Sequence, residues 1–278
     1  MNIERLFCEI DDYIQCEHKN LDYGTSTPFH SHDGYELLLL LDGDINYYTE
    51  AEGLHLKYGN LVCIRPYDFH RREVLNGENY KRIVIHVRKS VLERLSSDKT
   101  DVTECFYRVP AGKINVLKLD EYEIIEYSML AKRLSQELSS SEYGSDILAE
   151  TYLKQILVMV NSHSKKSRKV RVNNIMPPLV ADTISFIDRN ITERFSLDDI
   201  ADHLNYNGTY ISRYFKRITG VTIQQYIINK RISLAKKYLN EGLPPCDACF
   251  MSGFNDYSNF SRTFTKFVGR SPIKYQSS

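Results

Sequence analysis

Hydrophobic and polar positions alternate in short runs over roughly the first 110 residues, and the period then lengthens. Period-two runs bounded by turn residues predict strands over 36–41, 44–49, 59–64 and 81–87, with Asp42-Gly43 as a hairpin turn. Many short strands in one compact stretch predict a small barrel or sandwich. Over 119–139 and 146–163 the apolar spacing becomes helical. Ile124, Ile125, Met129, Leu130, Leu134 and Leu138 recur in the first stretch, and Ile147, Leu148, Tyr152, Ile156, Leu157 and Val160 in the second. A polar stretch at 139–144 separates them, which predicts a helical hairpin with an apolar face to bury. That face can pack on the strands or form a dimer interface, and the pattern does not choose between them. Residues 164–178 are polar, basic and end in Pro177-Pro178, the composition of a linker. From 179 to 278 the pattern is nearly all helical, with helices predicted over 180–190, 197–204, 208–219, 223–239 and 257–268 and a short last one after Ser271-Pro272.

The helical third contains a repeat. The stretch 207–220 (NGTYISRYFKRITG) returns as 256–269 (DYSNFSRTFTKFVG). Ser212, Arg213, Phe215 and Gly220 become Ser261, Arg262, Phe264 and Gly269. Each copy opens on a residue that caps a helix, Asn207 or Asp256, and closes on a glycine that stops one. A short helical segment and a tight turn precede each copy. That arrangement predicts two helix-turn-helix units in series, a device for reading double-stranded DNA.

Charge agrees with this reading. The 278 residues carry no net formal charge, yet 171–278 hold fourteen Lys and Arg against nine Asp and Glu, and 1–170 hold twenty-two against twenty-seven. A basic C-terminal part beside an acidic N-terminal part fits a nucleic-acid binder joined to another module. No apolar run reaches membrane-spanning length and the first dozen residues carry acids, so a cytoplasmic location with no membrane partner is expected. Six scattered cysteines imply no disulfide framework. Cys246 and Cys249 form a lone C-x-x-C, a weak signal for redox or metal chemistry.

The last hundred residues resemble the DNA-binding domain of AraC-type (AraC/XylS) transcription regulators. The matching positions include Phe195-Ser-Leu, Ile200-Ala201, the run 210–216 (YISRYFK), Thr219-Gly220, Tyr226, Arg231, Ala235, Gly253-Phe254, Phe260-Ser-Arg262, Phe264, Lys266, Gly269, Ser271-Pro272 and Tyr275. The resemblance implies that a central helix holds two recognition helices for adjacent major-groove segments, about ten base pairs apart. On the first, Ile211, Tyr214 or Phe215 and Ile218 supply the packing stripe, which leaves Thr209, Ser212, Arg213 and Lys216 outward. Arg213 is suited to a bidentate contact with guanine and Lys216 to a phosphate. Tyr257, Ser258, Ser261 and Arg262 hold the corresponding places on the second. Arg231 is expected to make a structural salt bridge. Ala248 and Ser252 stand where the family usually carries larger aliphatics, which predicts looser packing in the second unit, by about 1 kcal/mol. Cys249 stands at a small core position of the family.

In the N-terminal part, His30, His32, Glu36 and Gly43 have the spacing of a first cupin motif, and 59–70 (GNLVCIRPYDFH) resembles the second, ending on His70. On a strand, positions 30, 32 and 36 share one face. Three imidazoles and a carboxylate suit a divalent metal such as Mn, Fe, Ni or Zn. The same inward positions can instead line a pocket for an organic effector, as the cupin-like sensor barrels of this family imply. His86, on the strand 81–87, can also face inward.

The sequence therefore predicts a multidomain chain. Residues 1–163 form an all-β, cupin-like sensing and dimerisation domain whose helical hairpin is 119–163, 164–178 a linker, and 179–278 an all-α double helix-turn-helix domain. The expected function is an effector-responsive, sequence-specific DNA-binding regulator. It is read as a homodimeric activator of a carbohydrate or small-metabolite operon, with a sugar as one effector class and RNA polymerase as a further partner left open. No nucleophile constellation marks an enzyme. The competing reading is a metal-dependent cupin enzyme or metal sensor with a helical appendage. A third is a regulator without ligand, controlled by a partner protein.

Overall fold

In the computed structural model, residues 7–8, 13–21, 26–75, 80–166 and 173–276 are described. The basic stretch 167–172 of the expected linker lies outside them. The N-terminal strands are β1 (Phe7–Cys8), β2 (Ile14–Leu21), β3 (Ser31–His32), β4 (Tyr35–Asp42), β5 (Ile45–Thr49), β6 (Gly53–Leu56), β7 (Asn60–Ile64), β8 (His70–Val74), β9 (Tyr80–Val87) and β10 (Asn115–Lys118). They form a five-stranded sheet in the order β10-β7-β4-β9-β2, a three-stranded sheet in the order β6-β5-β8, and a short β1-β3 pair. The expected barrel is thus two facing sheets whose strand pairing does not close into a cylinder among the described residues. The Asp42-Gly43 turn is present, with Gly43 at φ 92. It is not a hairpin, because the strands it joins belong to different sheets. A bulge between Leu40 and Asp42 rotates β4 out of its ladder and sends the chain across.

The run 35–40 in β4 is buried on both faces, which explains the unbroken leucines that follow Glu36. Leu38 and Leu40 meet Ile45, Tyr47, Leu54 and Leu56 between the sheets. Tyr35, Leu37 and Leu39 face the other way, onto α1 (Lys89–Leu95), α2 (Glu121–Leu138) and α3 (Ser145–Lys166). Asp120 caps α2 by accepting from the Glu123 amide, and Glu123 returns the bond. The hairpin's apolar residues divide between two faces. Ile124, Leu130 and Leu134 are buried against the sheet, whereas Ile125 and Met129 stay exposed. Helix α3 extends through Lys166, into the stretch expected to be linker, because Ser164 is buried and accepts from Arg108 at 3.1 Å.

The C-terminal part is all helical: α4 (Pro178–Arg189), α5 (Leu197–Leu204), α6 (Gly208–Thr219), α7 (Ile223–Asn240), α8 (Pro245–Met251), α9 (Tyr257–Val268) and α10 (Pro272–Gln276). Its first core gathers Val180, Ile184, Ile187, Ile200, Ile211, Phe215 and Tyr226. Three side chains from the β part, Phe29, Tyr48 and Phe69, enter that same core. The second core gathers Ile232, Leu239, Ala248, Phe254, Phe260 and Phe264. The expected looseness at Ala248 and Ser252 has no counterpart there: both are fully buried, aromatic rings surround Ala248, and the Ser252 hydroxyl donates to the Cys249 carbonyl at 2.9 Å.

Candidate DNA interface and effector chamber

The two repeat copies fold with the same local chemistry. The Asn207 side chain accepts from the Thr209 and Tyr210 amides at 3.0 and 3.2 Å, and the Asp256 carboxylate accepts from the Asn259 amide at 2.6 Å. Each helix ends on a left-handed glycine, Gly220 at φ 79 and Gly269 at φ 88, a conformation in which side-chain-bearing residues are strained. Ser196 and Asp199 exchange bonds in a capping box that opens α5. The 18-residue α7 spans about 27 Å and separates the two units by somewhat less than one DNA turn of 34 Å.

The buried stripe of α6 is Ile211, Phe215 and Thr219, and that of α9 is Phe260, Phe264, Phe267 and Val268. None of the residues expected to meet DNA belongs to these stripes, although Tyr257 packs at the edge of the second core, 5.9 Å from the Phe260 ring. Thr209, Arg213 and Lys216 are exposed and Ser212 is half-buried; Ser258 and Arg262 are exposed, with Tyr257 and Ser261 half-buried. Phe215, rather than Tyr214, is the packing residue of the first unit. Tyr206, Tyr210 and Tyr214 instead stack in series at 6.2 and 5.8 Å, with the Arg217 guanidinium 4.7 Å from the Tyr214 ring. Tyr210, Arg213, Tyr214 and Arg217 together line a shallow hollow on α6. The spacing of 206, 210 and 214 in the sequence is the helical i, i+4 interval, but Tyr206 joins this aromatic ladder from the turn before α6.

Between the sheets lies the second candidate site. Glu36 is buried and central: its carboxylate stands 2.8 Å from His32 Nε2, 3.3 Å from His86 Nε2 and 3.5 Å from His70 Nε2. The rings of His30 and His70 lie 4.4 Å apart. His30, His32 and His70 each direct Nδ1 at a backbone carbonyl, of Pro28, Gly34 and Asp68. A carbonyl only accepts, so Nδ1 carries the hydrogen and Nε2 is left as the available ligand atom, which in His32 and His70 faces Glu36. Burial alone would raise the Glu36 carboxyl, but His86, His32 and His70 together hold it well below the usual carboxylate range. Burial lowers His30 far below the usual histidine range, with His70 adding to it, and burial also lowers His32. For His86 burial is the largest single effect and lowers its pKa, but the charge and hydrogen bond of Glu36, with the Glu17 charge, together outweigh it and raise it.

The four expected residues are therefore brought together, and His86 joins them. Donor atoms of His32, Glu36 and His86 lie within 4.8 Å of one another. A neutral His32 would turn its Nε2 lone pair toward an ionised carboxylate, so a proton or a cation belongs between them. His32, Glu36 and His86 would hold a divalent ion, and the Nδ1–H bond to the Gly34 carbonyl would orient His32 for it.

Comparisons with known proteins match both halves. A family model described as "AraC-like ligand binding domain" matches residues 18–157, and one described as "Helix-turn-helix domain" matches 200–278. The chain belongs to the AraC family. The melibiose operon regulatory protein of Escherichia coli (strain K12) is 22% identical over 99% of this chain and 96% of that protein. The HTH-type transcriptional activator RhaR of Mannheimia succiniciproducens is 22% identical over 92% of this chain and 89% of its own length. Among solved structures, ToxT from Vibrio cholerae is 16% identical over 95% of this chain and 94% of that one, with a TM-score of 0.41. As a member of the AraC family the chain is an effector-responsive, DNA-binding transcription regulator.

In this AraC-family chain the sensing and reading parts touch directly. His30 and His70 form an antiparallel bridge, with amide-to-carbonyl bonds of 3.0 and 2.9 Å in the two directions. Neighbouring residues on a strand point to opposite sides, so Phe29 and Phe69 leave the chamber on its far side. Both pack on Tyr226, with ring centroids 6.3 and 5.6 Å away, and Phe215 of α6 sits 5.7 Å from the same ring. The Phe29 amide donates to the Thr219 carbonyl at the end of α6, 3.0 Å away. Glu50 accepts from the Tyr226 hydroxyl at 2.6 Å and pairs with Lys230, which lies 2.9 Å from Asp188. The Phe-His dipeptide occurs at both 29–30 and 69–70, a signal that sequence reading could have used. Arg231 is structural, as expected, but through backbone carbonyls rather than a salt bridge: it donates to Ile191 at 2.9 Å and to Glu193 at 2.8 Å. A Cβ at Gly253 would lie 2.3 Å from the Ile191 carbonyl, so that junction requires glycine. Cys249 is buried, Cys246 is exposed, and both are free thiols. Among the described residues no helix is long and apolar enough to cross a membrane.

Proposed function

We propose that the chamber around Glu36 binds a small-molecule effector, and that its occupancy sets how the β part seats on α6 and α7, hence how the two recognition helices meet DNA. The observation that carries this reading is the His30–His70 bridge. The same two strand segments present imidazoles to the chamber and phenyl rings to the core beneath α6. An effector that favours one arrangement of the bridge must favour one seating of Phe29 and Phe69, and can shift the population by no more than that preference. Thr209, Ser212, Arg213 and Lys216 of α6, and Tyr257, Ser258, Ser261 and Arg262 of α9, would make the DNA contacts. The named relatives, a melibiose operon regulatory protein and a transcriptional activator, support activation of a carbohydrate or small-metabolite operon; contact with RNA polymerase and a cytoplasmic location belong to this proposal. They are regulators, and we assign this chain regulation rather than catalysis.

Dimerisation rests on the outer face of α2, where Tyr122, Ile125 and Met129 are 86%, 56% and 55% exposed at i, i+3, i+7 spacing. A second copy is the occupant this reading assigns to that stripe.

The test is selection from fragmented genomic DNA with the purified full-length chain. The expected result is an enriched pair of half-sites, with the two contact segments of each about ten base pairs apart. Binding without sequence enrichment would remove the regulator assignment.

A further inference from the structure

The strands that carry His70 and His86 also carry two arginines on the same inward face, Arg72 and Arg82, at even-numbered spacing. Arg72 lies directly opposite Tyr47, and Arg82 opposite Leu40, both in the inter-sheet layer. Arg82 is 4% exposed, yet its Nε and Nη1 have no hydrogen-bond partner. The Nε of Arg72 and the hydroxyls of Tyr47 and Tyr80 are likewise buried and unpaired. The Tyr80 ring covers one face of the Arg82 guanidinium at 4.8 Å, which leaves the N–H groups in the guanidinium plane unused. Neither arginine has an ion-pair partner among the described residues. Glu36, the carboxylate whose charge reaches Arg72, is already held by His32 and His86.

A buried and a half-buried guanidinium that repel each other, with neighbouring phenol donors and no ion-pair partner among the described residues, are costly to fold. Burial lowers Arg72, and the Arg82 charge lowers it further. Burial raises Tyr47 well above the usual phenol range, so its hydroxyl remains a donor. Planar guanidinium forks match the oxygens of a carboxylate or a phosphate, whereas a neutral polyol has no charge to offset them.

We infer that the effector is an anion, a small metabolite bearing a carboxylate or phosphate whose charged group sits between Arg72 and Arg82 with the Tyr47 and Tyr80 hydroxyls. This rests on the effector-chamber reading and sharpens it: the charged end meets the arginines while Glu36 and the histidines face the rest of the molecule.

Thermal unfolding of the full-length protein, at constant ionic strength, tests it with inorganic phosphate, glucose 6-phosphate, glucuronate and neutral glucose as probes. The expected result is a saturable rise in Tm of roughly 5–10 °C near 100 Kd for at least one anionic probe, absent with glucose and with chloride. Phosphate-bearing probes acting alone, or glucuronate alone, would identify which anionic group the arginines hold. In Arg82→Met the affinity for that probe should fall by at least ~30-fold. The variant without ligand should melt no lower than the parent, because an uncompensated charge has been removed. A lower Tm in Arg82→Met together with no anion response would make the arginines structural and overturn the inference. Saturable binding of glucose, unchanged in Arg82→Met, would overturn the anion and leave the effector chamber standing. Equal, unsaturable shifts with every salt would reduce the effect to adventitious ions and overturn it as well.

Discussion

Single side chains in this protein do separable jobs, and their surroundings say which. Arg213 projects from α6 beside Tyr210 and Tyr214, exposed and with no hydrogen-bond or ion-pair partner among the described residues. Arg213→Ala should weaken specific DNA binding by about 1–3 kcal/mol and relax preference at one base position, read by competition against single-base operator variants. Weakening that is uniform across those variants would make Arg213 a phosphate contact. Asp188 works between the two parts of the chain. Burial and then the Glu50 charge raise its carboxyl to about 6 from the ordinary 3.8, against the pull of Lys230. A carboxyl with a raised folded pKa takes up its proton in the folded state first as pH falls. Its contribution to stability is therefore present below about pH 4 and is lost as pH rises through about 6. Asp188→Asn should remove that slope, so the Tm difference between parent and variant should change across the window and be flat above it. Parallel curves from about pH 4 to 7 would show that Asp188 does not titrate there. The surroundings of Arg213 were legible in sequence because Tyr210, Tyr214 and Arg217 are its helical neighbours. Those of Asp188 were not, because Glu50 and Lys230 come from distant parts of the chain.

At the scale of elements, the repeat supplies its own control. Gly220 and Gly269 end equivalent helices in the same left-handed conformation, but only Gly220 faces the β part: a Cβ there would stand 3.1 Å from Pro28 Cα, while none would meet anything within 4 Å at Gly269. Gly269→Ala should cost about 1 kcal/mol from backbone strain alone. Gly220→Ala should cost more, and the excess measures how tightly 26–30 seats on the end of α6. Equal losses in denaturant unfolding would mean that Pro28 gives way freely. Helix positions were read closely from sequence, since caps at Ser196, Asn207, Thr222 and Asp256 are local chemistry. Strands 14–21, 53–56, 70–74 and 115–118 were missed. Strand 70–74 (HRREV) turns two arginines and a histidine toward partners on other strands, and its neighbours in sequence do not reveal that.

For the whole molecule, assembly and coupling are the properties that matter. Ile125→Asp with Met129→Asp should leave the fold intact, because both side chains are exposed, and convert a dimer to a monomer in sedimentation. Affinity for a two-half-site operator should drop with it, since linked half-sites no longer reinforce each other. A variant that still sediments as a dimer would place the interface elsewhere. The hairpin's apolar pattern left packing and dimerisation open, and the structure gives one row to the sheet while leaving another outward. That division follows from helix geometry: Ile124 and Ile125 are adjacent in sequence but about 100° apart around the axis.

By itself the sequence determined the local architecture of the DNA reader: two capped helices, two stop glycines, a spacer helix and the outward side chains of each recognition face. These follow from interactions within a few residues, which the repeat states twice. It also put His30, His32 and Glu36 on one face of a strand and His70 at the end of a second cupin-like motif. Tertiary structure alone decided that His86 joins them, that Arg72 and Arg82 share one inward face with no ion-pair partner among the described residues, that the Asp42-Gly43 turn crosses between sheets, and that Phe29 and Phe69 enter the core under α6. Each of these depends on which strands face one another and how their registers align. Such pairings join residues tens to hundreds of positions apart, and no local pattern encodes them.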